Sequence, residues 1–402
     1  MNLTRRAALL GLGAAWSLGR TSIAFGAPAP LVDQRLVVIL LRGALDGLAA
    51  VSPYGDARLA SLRAPLLLPE PGQPGGLLEL GGFFGLHPAL GGLHELYRGG
   101  ELLAVHATAG GYRSRSHFEA QDYLESGTDH RLSSGWLNRV VGALPAPSSD
   151  AAADAPDGRG LSVGLSLPLL LRGPAPISGY APPDPTHPSP DLYARIASLA
   201  ASDPLTGPAI AQALRARAFA AATPGLPGET PARRGGQQAA LAFAAGRLLA
   251  AADGPRIAAL ELGGWDTHAA QQARLAGPLA QLDRTVLALR SGLGEAWRRS
   301  VVLVMTEFGR TVRINGTGGT DHGTAGVAFL AGGAVQGGRV AGTWPGLASS
   351  QLYEDRDLAP TTDLRSLAKG VLADHLRLPA ASLATVFPDS AQAGPARGLV
   401  RV

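Results

Sequence analysis

Residues 301–311 read VVLVMTEFGRT. An unbroken apolar, mostly β-branched run of this length fits a strand buried on both faces. A glutamate and an arginine follow it, so charge sits where the strand leaves the sheet. The same grammar recurs at residues 256–268, RIAALELGGWDTH, where the apolar run ends in two glycines and then an aspartate and a histidine. Working outward, strands are expected over 36–41, 101–107, 256–262, 301–307 and 326–331. Leu275, Leu279, Leu282, Val286, Leu289 and Leu293 recur at spacings of four and three, which draws one apolar stripe along a helix. A second helix is expected over 237–252. Strands alternating with helices imply an α/β fold with a mostly parallel central sheet flanked by helices on both faces.

Composition bounds the rest. The chain has 402 residues, 46% of them hydrophobic, which is ample for a buried core. With 54 glycines and 31 prolines it is rich in turns, and residues 145–160, 173–190 and 221–236 read as insertions or long loops in one domain spanning 28–402. No internal repeat suggests a solenoid. Cysteine is absent, so disulfides, thiolate zinc sites and cysteine nucleophiles are excluded, and any metal must be held by histidine and carboxylate.

Residues 1–27 read as an address. Arg5 and Arg6 precede an apolar stretch, and small residues stand at Gly26 and Ala27, the pattern of a twin-arginine signal. Export to the periplasm or beyond is the expectation. Arg20 cuts the apolar run well short of the ~20 residues that a membrane span requires, and no later run is long enough. Setting aside Arg5, Arg6 and Arg20, 32 basic residues face 31 acidic ones, so there is no electrostatic case for nucleic acid. The glycine motifs lack the strand–turn–helix context of a dinucleotide site.

Polar motifs follow the expected strands, at the edge where open α/β sheets bind ligands. Arg42 and Asp46 follow the first, and His106 ends the second with Ser114, Ser116 and His117 beyond it. Asp266 and His268 follow the third, Glu307 and Arg310 the fourth, and Asp321 and His322 precede the fifth. Carboxylate with imidazole suits Zn, Mn, Fe or a similar divalent ion, and two such ions could polarise a phosphoryl oxygen and activate a hydroxyl. Each motif also has a plainer reading. Asp46 before Gly47 sets a turn, Asp266 caps the following helix, Glu307 pairs with Arg310, and Ser116 with Glu119 forms an S-x-x-E capping box.

Taken together, LRGALDGL, PYGD, GLHPAL, RSHFEAQDYLESG, SGWLNR, GGWDTH, TEFGRT, GGTDHGTA and VFPD resemble, in order and spacing, the bacterial DUF1501 family. That family resembles the alkaline phosphatase and sulfatase superfamily, so the resemblance implies a two-metal hydrolase, with Zn or Mn, acting on a small anionic ester. Asp46, Asp266, His268, Glu307, Asp321 and His322 would be the metal ligands and Ser116, or else Ser114, the nucleophile. Arg42, His106, His117 and Arg310 would stand behind them or touch substrate. DHG follows TEFGRT rather than the strand itself, so Glu307 would take the place of the superfamily's aspartate. The sulfatase signature is missing around Ser116, which favours phosphate over sulfate esters. The competing expectation is a non-catalytic exported protein of the same fold, with a structural or partner-binding role.

Overall fold

The computed structural model describes residues 33–145, 159–181, 190–200, 203, 206–226 and 236–401. Residues 1–27, expected to be a twin-arginine signal, and the middles of the three Pro/Gly-rich stretches lie outside the described residues. A nine-stranded sheet forms the centre. Its strands are β1 (Arg35–Leu41), β2 (Leu102–Ala109), β3 (Gly160–Val163), β4 (Ile177–Tyr180), β5 (Ile257–Leu262), β6 (Ser300–Thr306), β7 (Gly326–Ala331), β8 (Arg339–Ala341) and β9 (Thr362–Asp363). The spatial order is β8-β2-β7-β6-β1-β5-β3-β4, with β9 paired to β2. All five expected strands are present. Residues 177–180, read as part of a loop, are instead a strand that pairs in parallel with 160–163.

β1 carries seven buried residues because helices cover both faces of the sheet. On one face Val37, Ile39 and Leu41 meet the stripe of α4 (Gln271–Leu293) and Leu241, Leu248 and Leu249 of α3 (Gln237–Ala250). The alternate residues Leu36, Val38 and Leu40 are equally buried, and α5 (Leu364–Asp374) packs against β6. Among the described residues no helix is long and apolar enough to cross a membrane.

Register creates the site. β1 is parallel to β5 and β6, with Leu41 opposite both Leu262 and Thr306, so the three strands end at one level. Whatever follows each strand therefore emerges side by side. β7 is the exception in direction: it runs antiparallel to both β2 and β6, with Gly326 opposite Thr108. Its approach segment, residues 321–325, consequently arrives at the same carboxyl edge. An all-parallel sheet would have sent Asp321 and His322 to the opposite end.

Candidate metal centre

Four segments meet at that edge. Gly43, just after β1, has φ +118°, and a Cβ there would lie 2.7 Å from the Asp266 backbone nitrogen, so only glycine lets the β1 and β5 loops touch. A Cβ on Gly319 would lie 2.3 Å from the His268 carbonyl carbon, which packs the loop before β7 directly onto the β5 loop. Arg310, fully buried, braces the junction by donating to the carbonyls of Gly43, Ala44, Trp265 and Thr320 and to the Asp266 carboxylate. The expected Glu307–Arg310 pair is not formed. Asp266 does not cap the next helix either: α4 begins at Gln271 behind Ala270, with no side-chain cap.

His117, Asp266 and His322 each aim a ligand atom into one small space, all within 4.8 Å of one another. His322 Nε2 lies 3.4 Å and His117 Nε2 3.6 Å from Asp266 Oδ1. His268 joins from the side, its Nε2 3.0 Å from the same Asp266 oxygen and 2.9 Å from His322 Nε2. His117 and His322 are about a quarter exposed and Asp266 and His268 nearly half, so the cluster is open on one side.

The other nitrogen of every ring is committed. His117 Nδ1 lies 2.7 Å from Glu307 Oε1 and His268 Nδ1 3.1 Å from Asp321 Oδ1, and an ionised carboxylate can only accept. His322 Nδ1 lies 2.8 Å from the Arg115 carbonyl, which likewise only accepts. All three rings thus carry Nδ1–H, and in their neutral forms all three Nε2 lone pairs turn toward Asp266. His117 Nε2 is buried with no hydrogen-bond partner. Phe308 packs on the His117 and His322 rings, its centroid 5.0 Å from each, and restricts their tilt.

Two expected roles are exchanged. Glu307 was expected in front and His117 behind it, but Glu307 Oε1 accepts from the Gly43 N–H, His117 and Gln121, and Oε2 from Thr306. Burial alone would raise this carboxyl, yet those hydrogen bonds outweigh it and hold its pKa down at about 2. The same Glu307 hydrogen bond raises the pKa of His117. Asp321 likewise stands behind His268 and also accepts from Asn315, whose hydrogen bond lowers its pKa. Burial lowers the pKa of His322. Burial would raise Asp266, but Arg310 brings it down.

Asp46 stands outside the histidine cluster. It is 1% exposed, and its oxygens accept from Leu48 N, Ala49 N, Arg63 and Gln271. It is the N-cap of α1 (Gly47–Ala50), as the turn reading expected, and the partner of a buried arginine. Burial would raise its carboxyl, but Arg63 keeps it ionised. A second ion would need Asp46 and Glu307 freed from these donors. Among the described residues only the one His–Asp–His group converges.

The remaining candidates are placed as follows. Arg42 reaches Glu125 and Glu261. His106 is 2% exposed beside Phe84 and Trp344, and its two nitrogens bond the Val51 carbonyl and the Ala107 N–H. Ser116 is the N-cap residue of α2 (His117–Ser126), but its side chain makes no capping bond. The capping box is therefore not made by Ser116: Glu119 is taken by Ser114 at 2.7 Å, and Ser116 is left exposed. Gln121, Asn315 and Arg63 were missed. Gln121 stands one helical turn after His117 and was the most legible of the three.

Among solved structures the fold is similar to a phosphonate monoester hydrolase of Agrobacterium radiobacter, at 14% identity and TM-score 0.35, covering 86% of this chain and 74% of that one. It is also similar to Ps i-CgsB in complex with k-i-k-neocarrahexaose, at 11% identity and TM-score 0.34 over 74% of this chain. This chain spans 65% of the latter's length. No curated protein matches it in sequence. The family described as Protein of unknown function (DUF1501) matches residues 111–387, a stretch that holds His117, Asp266, His268, Glu307, Asp321 and His322. The chain belongs to the DUF1501 family.

Proposed function

We propose that this protein is an exported, metal-dependent hydrolase of small anionic esters, phosphate esters foremost. The observation that carries the reading is the convergence of His117 Nε2 and His322 Nε2 on Asp266, with His268 Nε2 2.9 Å from His322 Nε2 at its side. With each Nδ1 donating elsewhere, the neutral rings turn their Nε2 lone pairs toward Asp266, an arrangement that a bound cation would satisfy. A tetrahedral ion with bonds of about 2.0–2.1 Å places its ligand atoms about 3.3 Å apart. The separations of His322 and His117 from Asp266 Oδ1, 3.4 and 3.6 Å, lie close to that value. Carboxylate or carbonyl behind each ring is the usual support of a metal-bound histidine. The residues fit a Zn or Mn ion held by His117, Asp266 and His322 with His268 beside them.

Once bound, such an ion supplies positive charge to a developing oxyanion. The chain's own residues supply the rest. Arg310 is buried and committed to carbonyls and Asp266, and Arg42, Arg115 and Arg356 are each paired with a carboxylate or a carbonyl. The start of α2 does offer donors, because its N-cap side chain leaves the first-turn N–H groups uncapped, and an anion is stabilised there. Ser116 stands at that start, one residue before His117. Its Oγ attacks phosphorus as the ester oxygen leaves, the hydroxyl proton passes through water to the departing alkoxide, and a second water then cleaves the seryl phosphate to release phosphate and restore the hydroxyl.

The test is a screen of the full chain with Zn²⁺ and Mn²⁺ against phosphomonoesters, phosphodiesters and sulfate esters. Metal-dependent turnover lost in Ser116→Ala and in His322→Ala supports the proposal. A metal-loaded protein inert toward every ester favours the non-catalytic reading. Export is tested separately: replacing Arg5 and Arg6 with lysine should retain the precursor inside the cell, and normal processing would refute the twin-arginine route.

A further inference from the structure

We infer that Gln271 is a positioning residue that holds the two ligand-bearing loops at the spacing the metal centre requires, an inference that rests on the metal reading above. Gln271 is the first residue of α4 and is 1% exposed. Its Oε1 accepts from the Thr267 hydroxyl at 2.9 Å and from the Thr320 hydroxyl at 2.6 Å. Thr267 lies between Asp266 and His268, and Thr320 immediately precedes Asp321 and His322. One amide oxygen therefore clasps both loops from beneath.

The orientation of that amide is dictated from behind. Its Nε2 donates to Asp46 Oδ2, and an ionised carboxylate accepts only, so the amide oxygen must face the threonines. Asp46 is in turn held by Arg63 and by two backbone N–H groups of α1. The chain Arg63–Asp46–Gln271–Thr267/Thr320 is buried throughout. It runs from the turn after β1 to the loops after β5 and before β7. The two loops also meet directly: the Thr320 N–H lies 3.3 Å from the Thr267 carbonyl, the Ala270 and Gln271 N–H groups donate to the Thr317 and Gly318 carbonyls, and Asn315 and Thr317 donate to the His268 carbonyl. Those bonds hold the loop backbones, and the two hydroxyls on Gln271 Oε1 add a buried side-chain tie at the residues that directly flank Asp266, His268 and Asp321. The carboxylate that the resemblance implied as a metal ligand thus serves the centre at one remove, by aiming the amide.

The experiment measures metal affinity, not turnover. Full-length wild type and Gln271→Met are titrated with Zn²⁺ or Co²⁺ against a chromophoric chelator, with far-ultraviolet circular dichroism to establish that each is folded. Methionine keeps the length of the side chain and removes all three hydrogen bonds. Loss of a group behind a metal ligand typically costs 10–100-fold in affinity, and folded Gln271→Met should bind about 10-fold more weakly or worse, with an altered Co²⁺ visible spectrum. Should Gln271→Met fail to fold, Thr320→Val removes a single hydroxyl and should weaken binding in the same direction. Affinity within about twofold of wild type in the folded variant would overturn the positioning role while leaving the metal centre intact. A wild type that binds neither ion would overturn the centre itself and this inference with it.

Discussion

Glu307 Oε1 lies 2.7 Å from His117 Nδ1, and the far nitrogen of that ring, Nε2, is buried without a partner and faces Asp266. A buried glutamate held at a pKa of about 2 is an expensive device for orienting one imidazole. Its cost is intelligible when the imidazole must present a lone pair in a fixed direction. Glu307→Gln removes the charge and can present an N–H where His117 needs an acceptor. Metal affinity should fall roughly 10–100-fold, read by chelator competition, with the chain still folded. Unchanged affinity would show that His117 does not depend on this glutamate.

Metal and stability are linked through His322. A ligand that binds only the native state raises the melting temperature by mass action. Adding Zn²⁺ or Mn²⁺ should raise the melting temperature of the wild type, and His322→Ala should abolish that rise while melting near the metal-free wild type. An equal rise in both would place the ion elsewhere.

Ser116 separates chemistry from capping. Its hydroxyl makes no capping bond, so the roughly 1 kcal/mol that a true N-cap contributes is absent here. Ser116→Ala should leave the urea midpoint essentially unchanged while abolishing ester turnover. A loss of stability comparable to a lost cap would contradict the structure, and full activity would remove Ser116 as nucleophile and bring Ser114 forward.

Acid should destabilise the fold through two histidines outside the metal cluster. Burial lowers His106 and His375 to about 4, well below the ordinary value near 6.5, and each donates from Nε2 to a backbone carbonyl, Val51 and Arg35 respectively. Between pH 6.5 and 4 the unfolded chain takes up these protons and the folded chain does not. Their contribution is therefore fully present above about pH 6.5 and is lost as pH falls toward 4, by up to about 3 kcal/mol each at the limit. Urea unfolding of the metal-free protein at several pH values should show this slope, and His375→Gln should make it shallower. A flat profile from pH 7 to 4.5 would contradict it.

Arg63 and Asp46 form a pair buried to within 2%. Arg63→Met leaves a carboxylate with no countercharge and should cost about 3–5 kcal/mol in chemical denaturation. A cost under about 1 kcal/mol would mean that the pair is not sealed from water.

The central strands were legible because β1, β5 and β6 are continuous apolar runs, as strands covered on both faces must be. The run at 177–180, ISGY, was not, since a glycine and flanking prolines conceal its pairing with β3. In the site, the pairs Asp266–His268 and Asp321–His322 were legible from their place after β5 and before β7. Which member stood in front was not. That depends on what each ring's second nitrogen meets, and Glu307, Asp321 and the Arg115 carbonyl come from distant positions in the chain. Arg63 follows Asp46 by 17 positions across an irregular stretch, and no local pattern announces that they meet.

The central claim is that His117, Asp266 and His322 hold a divalent ion. Its most direct test is the metal content of the full-length protein, by plasma mass spectrometry after loading with Zn²⁺ or Mn²⁺ and exhaustive dialysis. The wild type should retain about one ion per chain, and the folded double variant His117→Ala/His322→Ala should retain none above the buffer blank. Retention of the ion by that double variant, or a wild type indistinguishable from the blank, would contradict the account.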